Sequence, residues 1–361
     1  MKKLSTLSLC FTFTGCFLGA GYMSGQEIHQ FFGAFGLKGV FGLIFAVAVL
    51  WLLGVILVRL VSMTGVSDID KTVVGGNSRP ALFAVGAAEI LMLFGTFFVM
   101  IAGAGALIEQ IFPFPYAKLI GSALFTLLLA YLALHGINGL IRIFSGAVPL
   151  LVLFSAVLGS ISLVKMLPTG ITFPVSTEFN PMIPNFAVGA LAFSAYNFFC
   201  CVGVMCQVGL RVGSRRSVIT AIGMGSLCLF AVAFGVILSM AANEGSAEAQ
   251  IPMLYAANAL HPIFGDVFAF LLMLAMIGAG LSCLIPTVTY FSGHFKTVEK
   301  HKTAFTALIS LLGFALGSFG FSDLVGSVFS SFGFISLFII FGVVRHYIKV
   351  KNKAKRENAG Q

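Results

Sequence analysis

Thr14-Gly-Cys-Phe-Leu-Gly19-Ala-Gly21-Tyr22-Met-Ser24-Gly25-Gln26-Glu27-Ile-His29-Gln30 is the stretch on which the fold turns. It lies inside the first of a series of long apolar runs. Yet it carries glycine at positions 15, 19, 21 and 25 and the polar cluster Ser24-Gly25-Gln26-Glu27. Each interior glycine costs a helix about 1 kcal/mol relative to alanine. Non-helical backbone persists at bilayer depth only where protein or a water-filled cavity satisfies it. Two half-helices meeting within residues 19–25 meet both conditions. One then offers free carbonyls to a cation and the other free N–H groups to a carboxylate. The competing account is close helix packing through Gly15-xxx-Gly19 and Gly21-xxx-Gly25, which leaves the polar cluster unexplained. Ser24-x-x-Glu27 is also a capping box that would start a half-helix. Glu27 therefore has two readings, as a cap for its own backbone or as an ionisable group with a direct role.

The rest of the chain supplies the membrane context. Of 361 residues, 59% are hydrophobic and 9% charged, with a mean hydropathy of +1.05; a soluble domain carries about 25% charged residues. Runs of roughly 20 apolar residues, enough to cross a bilayer as helix, fall near 5–36, 38–62, 81–112, 117–134, 143–166, 186–209, 216–242, 263–293, 303–320 and 323–348. The expectation is an all-α integral membrane protein of about ten transmembrane helices. Outer-membrane strands alternate over about 10 residues, whereas these runs are continuous. The first span follows Met1-Lys2-Lys3 but has no small-residue cleavage site before a polar region, so it reads as retained rather than as a signal peptide. Short connections leave no room for a separate soluble domain.

Charge orients the spans. With both termini and alternate loops in the cytoplasm, all but Lys38, Lys118 and Lys165 of the 21 basic residues lie inside, Lys2 and Lys3 among them. The acids Glu109, Glu178, Glu244, Glu248, Asp266 and Asp323 lie outside. This is the positive-inside pattern. It turns the net charge of +9 into a topology signal rather than a nucleic-acid footprint, with the tail 349–361 facing anionic lipid. The seven cysteines all fall within spans, without CxxC or zinc-site spacing, and read as packing residues. The sequence has no HExxH, no rhomboid-type GxSG and no pair of membrane-embedded aspartates, so nothing points to an enzyme.

Ten spans divide into repeats at 1–166 and 186–348, joined by an extracellular connection at 167–185. A five-span repeat must run inverted in its second copy. The first span of the second half, from Asn185, then breaks at Ser194, Tyr196 and Asn197, or else Asn197 bonds a neighbouring helix. Span 8 carries Gly278-Ala-Gly280-Leu-Ser282-Cys283-Leu-Ile-Pro286, where Ser282 either offers oxygen to a cation or bonds back to its own helix. Glu89 lies in span 3, about 12 Å from its cytoplasmic end, placed to carry protons, pair in the bundle or meet cytoplasmic water. The loop 243–262 contains a short apolar-faced helix expected over the external vestibule.

The stretch from Gly19 to Gly33, with Phe35, Gly36 and Gly39, resembles the YkvI-type bacterial membrane proteins, whose first span has a similar Gly-Ala-Gly…Ser-Gly-Gln-Glu signature. These are similar to distant members of the amino acid–polyamine–organocation superfamily, which has the leucine-transporter (LeuT) fold. The resemblance implies a 5+5 inverted repeat with broken helices 1 and 6, alternating access, and a cation between the span 1 break and span 8, here residues 19–22 facing Ser282. It departs from sodium-coupled relatives at Cys283, which stands where a second hydroxyl is common. It also lacks the span 5 lysine of some proton-coupled relatives, since Lys165 lies at the outer end of that span. The functional expectation is a secondary transporter of a small amino acid, amine or related zwitterion, coupled to Na⁺ or H⁺, in the bacterial cytoplasmic membrane. The alternatives are a transporter-fold sensor or a channel. Substrate-binding candidates are Gly19, Ala20, Gly21, Tyr22, Ser24, Gly25, Gln26, Glu27, Tyr196 and Asn197. Coupling-ion candidates are Gly19, Tyr22, Glu27, Glu89 and Ser282. No cofactor beyond the coupling ion is expected, and the partners are a small solute and lipid.

Overall fold

The computed structural model describes residues 4–176, 180–243 and 245–359. Lys2, Lys3, Glu178, Glu244 and the last two residues of the tail, which enter the charge and topology reading, lie outside the described residues. The helices in chain order are α1 (Thr6–Gly15), α2 (Ala20–Ser24), α3 (Gln26–Ile28), α4 (Leu37–Thr64), α5 (Ile69–Val74), α6 (Arg79–Ile111), α7 (Ala117–Ala133), α8 (Gly136–Met166), α9 (Phe186–Gly209), α10 (Arg215–Ala241), α11 (Pro252–Leu260), α12 (Pro262–His294), α13 (Lys296–Lys300), α14 (Lys302–Leu316), α15 (Phe321–Leu324) and α16 (Ser330–Ala359). Single π-helical turns at His29–Gly33 and Val325–Phe329 precede α4 and α16. Among the described residues the only β pairing is one isolated bridge, Phe35 to Val175.

Among the described residues, seven helices are long and apolar enough to cross a membrane: α4, α6, α8, α9, α10, α12 and the run Phe321–Arg356. The shorter apolar helices α1, α7 and α14 accompany them, and each apolar run of the sequence corresponds to one of these. Their ends are set by local chemistry. Asn185 Oδ1 accepts from the amides of Ala187 and Val188 at the start of α9, and Ser214 Oγ from Ser217 at the start of α10, each satisfying a first-turn donor. α4 stops at Gly65, in the left-handed conformation that ends helices.

Burial separates the helices into an inner and an outer set. The most apolar window is 89% buried in α9 and 78% in α6 and α12, against 39% in α8 and in the last run. The outer helices expose large apolar side chains such as Phe41, Leu52, Leu124, Leu127 and Phe338. Water would penalise that surface by about 25 cal/mol per Å², whereas lipid does not.

Span 1 breaks, but earlier than the sequence suggests. Regular helix ends at Gly15 and resumes at Ala20, with Gly19 extended at φ −98° and ψ −170°. A second interruption follows at Gly25, φ +91°. Gly19 is needed for close approach, since a Cβ there would stand 3.1 Å from both Ala279 Cβ and Met100 Sδ. Gly25 is needed for its left-handed backbone.

The expected break in span 6 is absent. α9 runs unbroken from Phe186 to Gly209. Ser194 Oγ donates to the Ala190 carbonyl at 2.7 Å, and Asn197 Nδ2 to the Phe193 carbonyl at 3.1 Å. The polar side chains thus bond back to the preceding turn. Without glycine or proline beside them, nothing forces the backbone open.

Candidate functional site

The gap between α1 and α2 faces α6, α9, α12 and the π turn before α16 around a small closed cavity of about 20 Å³. Roughly 10–15 Å³ measured this way admits one water, so this conformation has room for little more. Its polar lining is Glu27, Thr96, Tyr196, Asn197, Ser282 and the thiols of Cys16, Cys200 and Cys283, and Gly19, Gly21, Met100 and Phe329 complete much of the wall.

Glu27 is the one ionisable carboxyl in that lining. Its side chain lies over Gly21, where a Cβ would stand 2.8 Å from Glu27 Oε2. Asn197 Nδ2 donates to Glu27 Oε1 at 3.2 Å. The Tyr196 hydroxyl is buried beside the same carboxyl. The ring of Tyr196 stacks on Phe329 at 5.0 Å and 10°, and Phe31 and Phe193 pack around it. Among the described residues, no lysine, arginine or histidine lines the cavity.

The reciprocal capping box is not formed. Ser24 Oγ donates to the Gly21 carbonyl and accepts from the Gln26 amide at 3.3 Å, but no hydrogen bond among the described residues joins Glu27 to the Ser24 amide. The left-handed Gly25 between them turns the chain, so that Glu27 points back into the cavity.

The structure therefore gathers Gly19, Gly21, Glu27, Tyr196, Asn197 and Ser282 and assigns the other candidates elsewhere. The Tyr22 hydroxyl donates to the Leu229 carbonyl of α10 at 2.8 Å, a strut between spans. Ala20 presents its amide to Met100 Sδ at 3.2 Å. Gly25 packs on Met240, Pro252 and Met253, and Gln26 Nε2 donates to the carbonyls of Ala249 and Gln250. Gly25 and Gln26 thus hold the segment leading into α11, the loop helix expected over the external vestibule and here termed the lid, against span 1. Ser282 Oγ donates to the Ala279 carbonyl at 2.7 Å, the back-bonded arrangement. Glu89 is fully buried and outside the cavity. Sequence reasoning missed Thr96, Met100, Cys200 and Phe329. Thr96 left a signal, as a lone hydroxyl one heptad after Glu89 in an otherwise apolar helix.

Both sides of the cavity are shut. On the lid side, Asn180 Nδ2 donates to Gln30 Oε1, the Gly326 carbonyl and Ser330 Oγ at 3.0–3.3 Å, bridging the two π turns. On the other side, the Leu4 amide donates to the Arg211 carbonyl at 2.9 Å, and Thr6 and Ser217 share a 2.9 Å hydrogen bond. Beyond that closure lies a larger cavity of about 480 Å³, lined by Asp68, Lys71, Gly203, Gln207, Tyr290 and His294 among others. There the Asp68 carboxylate pairs with Lys71 and raises the pKa of its ammonium.

A helical membrane protein whose first span unwinds against α12, around a closed central cavity, has the architecture of the LeuT-fold transporters. Solved structures bear this out at the level of fold. MhsT in complex with L-phenylalanine superposes with a TM-score of 0.67 at 19% identity, covering 94% of this chain and 89% of that one. A Na⁺-coupled sialic acid symporter in a substrate-bound outward-open state gives 0.63 at 14%, covering 94% and 79%. MHP1, a nucleobase-cation-symport-1 family transporter in a closed conformation, gives 0.61 at 14%, covering 90% and 75%. In sequence the chain is similar to the "Uncharacterized membrane protein YkvI" of Bacillus subtilis, 24% identical over 354 residues and covering 94% of this chain and 95% of that one. It is also similar to the "Uncharacterized protein YyaD" of the same organism, 26% identical over 344 residues and covering 90% and 92%. No family model matches the chain.

Proposed function

We propose that the protein is a secondary transporter working by alternating access. Its substrate is a small solute with an ammonium group (an amine, amino acid or related zwitterion), bound with that group on Glu27. Transport is coupled to H⁺ or Na⁺. The observation that carries this reading is the Glu27 carboxyl, 3% exposed, in a cavity without a basic residue. An ion taken out of water costs several kcal/mol unless it is paired with an opposite charge, and the neutral Asn197 amide and the neighbouring Tyr196 hydroxyl offset only part of that. An ammonium would supply the missing charge, and the stacked rings of Tyr196 and Phe329 would add cation–π attraction. The fold shared with MhsT, solved with L-phenylalanine, supports the same class of solute. The cavity is too small for such a solute as it stands, so binding requires one of the two closures to open.

The test is thermal stabilisation of the purified protein by the standard amino acids, ethanolamine, putrescine and phenethylamine, in sodium or choline chloride, followed by uptake into proteoliposomes. N-acetylated counterparts, which lack the ammonium, should not stabilise. Equal stabilisation by amine and N-acetyl compound would defeat the role of Glu27. Binding without uptake would favour a sensor.

A further inference from the structure

Glu89 sits between the two cavities and lines neither. Seven residues, about 10.5 Å along the axis, separate it from Thr96 on the same face of α6, and Thr96 lines the central cavity. One turn the other way, a Cβ on Gly86 would lie 1.8 Å from the Tyr290 hydroxyl. Tyr290 therefore closes directly on α6, and its own side chain lines the larger cavity. The Glu89 carboxyl is fully buried, and neither oxygen has a hydrogen-bond partner among the described residues. Cys200, Cys201 and Cys206 of α9 and Cys283 of α12 lie within its electrostatic reach. Asp70 of α5 is engaged elsewhere, its carboxylate accepting from the Lys71 amide and lying 3.8 Å from His294 Nε2. No charged side chain among the described residues hydrogen-bonds the carboxyl.

A carboxylate ion with both oxygens bare in a dry core costs far more than the acid form. A packing role would be met by Gln or Leu without that cost. The rival coupling ion finds a poor site here. The Ser282 hydroxyl donates its proton to the Ala279 carbonyl and offers a single side-chain oxygen, and its neighbour Cys283 is a soft thiol where a hard cation wants oxygen.

We propose that Glu89 is the coupling-proton site: it holds a proton in this closed conformation and releases it through the Tyr290 contact into the larger cavity when that side opens. The step is Glu89–COOH going to Glu89–COO⁻ plus a proton taken up by water. It deepens the transporter reading and rests on it for the direction of use, while the binding site itself can be measured without substrate.

Infrared difference spectra of wild type, Glu89→Gln, Glu27→Gln and Tyr290→Ala in lipid films, moved from acid to alkaline buffer, provide the test. Wild type should show the high-frequency carbonyl band of a carboxylic acid free of hydrogen bonds. That band should be lost in Glu89→Gln and kept in Glu27→Gln. In Tyr290→Ala it should disappear at least tenfold faster after an alkaline jump, because the contact sealing the site from the larger cavity is gone. Superimposable wild-type and Glu89→Gln spectra would overturn the proposal, and so would a Tyr290→Ala rate equal to wild type. Because no substrate is added, failure of the amine screen leaves this result intact. Amine uptake with no Glu89 band would sink the proton site alone.

Discussion

Replacing Glu27 by Gln and by Ala separates the charge of the carboxyl from its shape. Asn197 Nδ2 lies 3.2 Å from Glu27 Oε1, and a Gln side chain keeps an oxygen at that point, so the contact survives as a neutral hydrogen bond. Its weakening costs about 1 kcal/mol, and removal of a buried charge offsets this, so Glu27→Gln should fold with little change in thermal stability. An ammonium on the site loses more. A hydrogen bond to a charged group is worth about 1.5–3 kcal/mol, so affinity should fall roughly 10- to 150-fold at 1.4 kcal/mol per decade. Glu27→Ala strands the buried Asn197 amide as well, at about 1–3 kcal/mol, and should lose both stability and binding. Isothermal titration with phenethylamine and the standard amino acids, beside thermal melts, reads both quantities. The reasoning fails if Gln binds within about twofold of wild type while Ala does not. The carboxyl would then act only as an acceptor for Asn197.

The remaining expectations concern the break, the lid and the topology. Gly21→Leu should abolish uptake while inserting normally, because its Cβ would stand 2.8 Å from Glu27 Oε2 and 3.0 Å from Phe329 Cε2; Gly76→Leu, with nothing within 4 Å, is the control. Uptake by Gly21→Leu at the control level would refute the close approach. Gln26→Ala removes hydrogen bonds of 2.8 and 3.3 Å to the lid segment. At about 0.5–1.5 kcal/mol each, the lid-open population should rise roughly 5- to 150-fold, seen as faster hydrogen exchange in α11. Unchanged exchange would show that the lid is held by packing alone. Reporter fusions should place residue 361 in the cytoplasm, and an external signal there would overturn the positive-inside reading.

Some of this protein was legible in one dimension because the responsible forces act locally or on composition. Continuous apolar runs announce helices in lipid, since each backbone group must be satisfied within its own segment. The glycines at 19 and 25 announced where span 1 would leave the helix, because the cost of glycine is a property of the residue itself, although Gly21 between them stays helical. Proline after Ile251 started the lid helix for a similarly local reason.

The tertiary structure decided the rest, because those outcomes depend on what stands opposite. Glu27 matched a capping box in sequence, yet a left-handed Gly25 turned its carboxyl onto Asn197, a partner 170 residues away. Ser194 and Asn197 looked like helix breakers, but their side chains found carbonyls one turn back and α9 stayed whole. Ser282 and Ser24 likewise met their own helices. A polar side chain at bilayer depth must bond to something. Sequence shows that the demand exists, and only packing shows whether it is met by the next turn, by another span, or, as for Glu89, by neither.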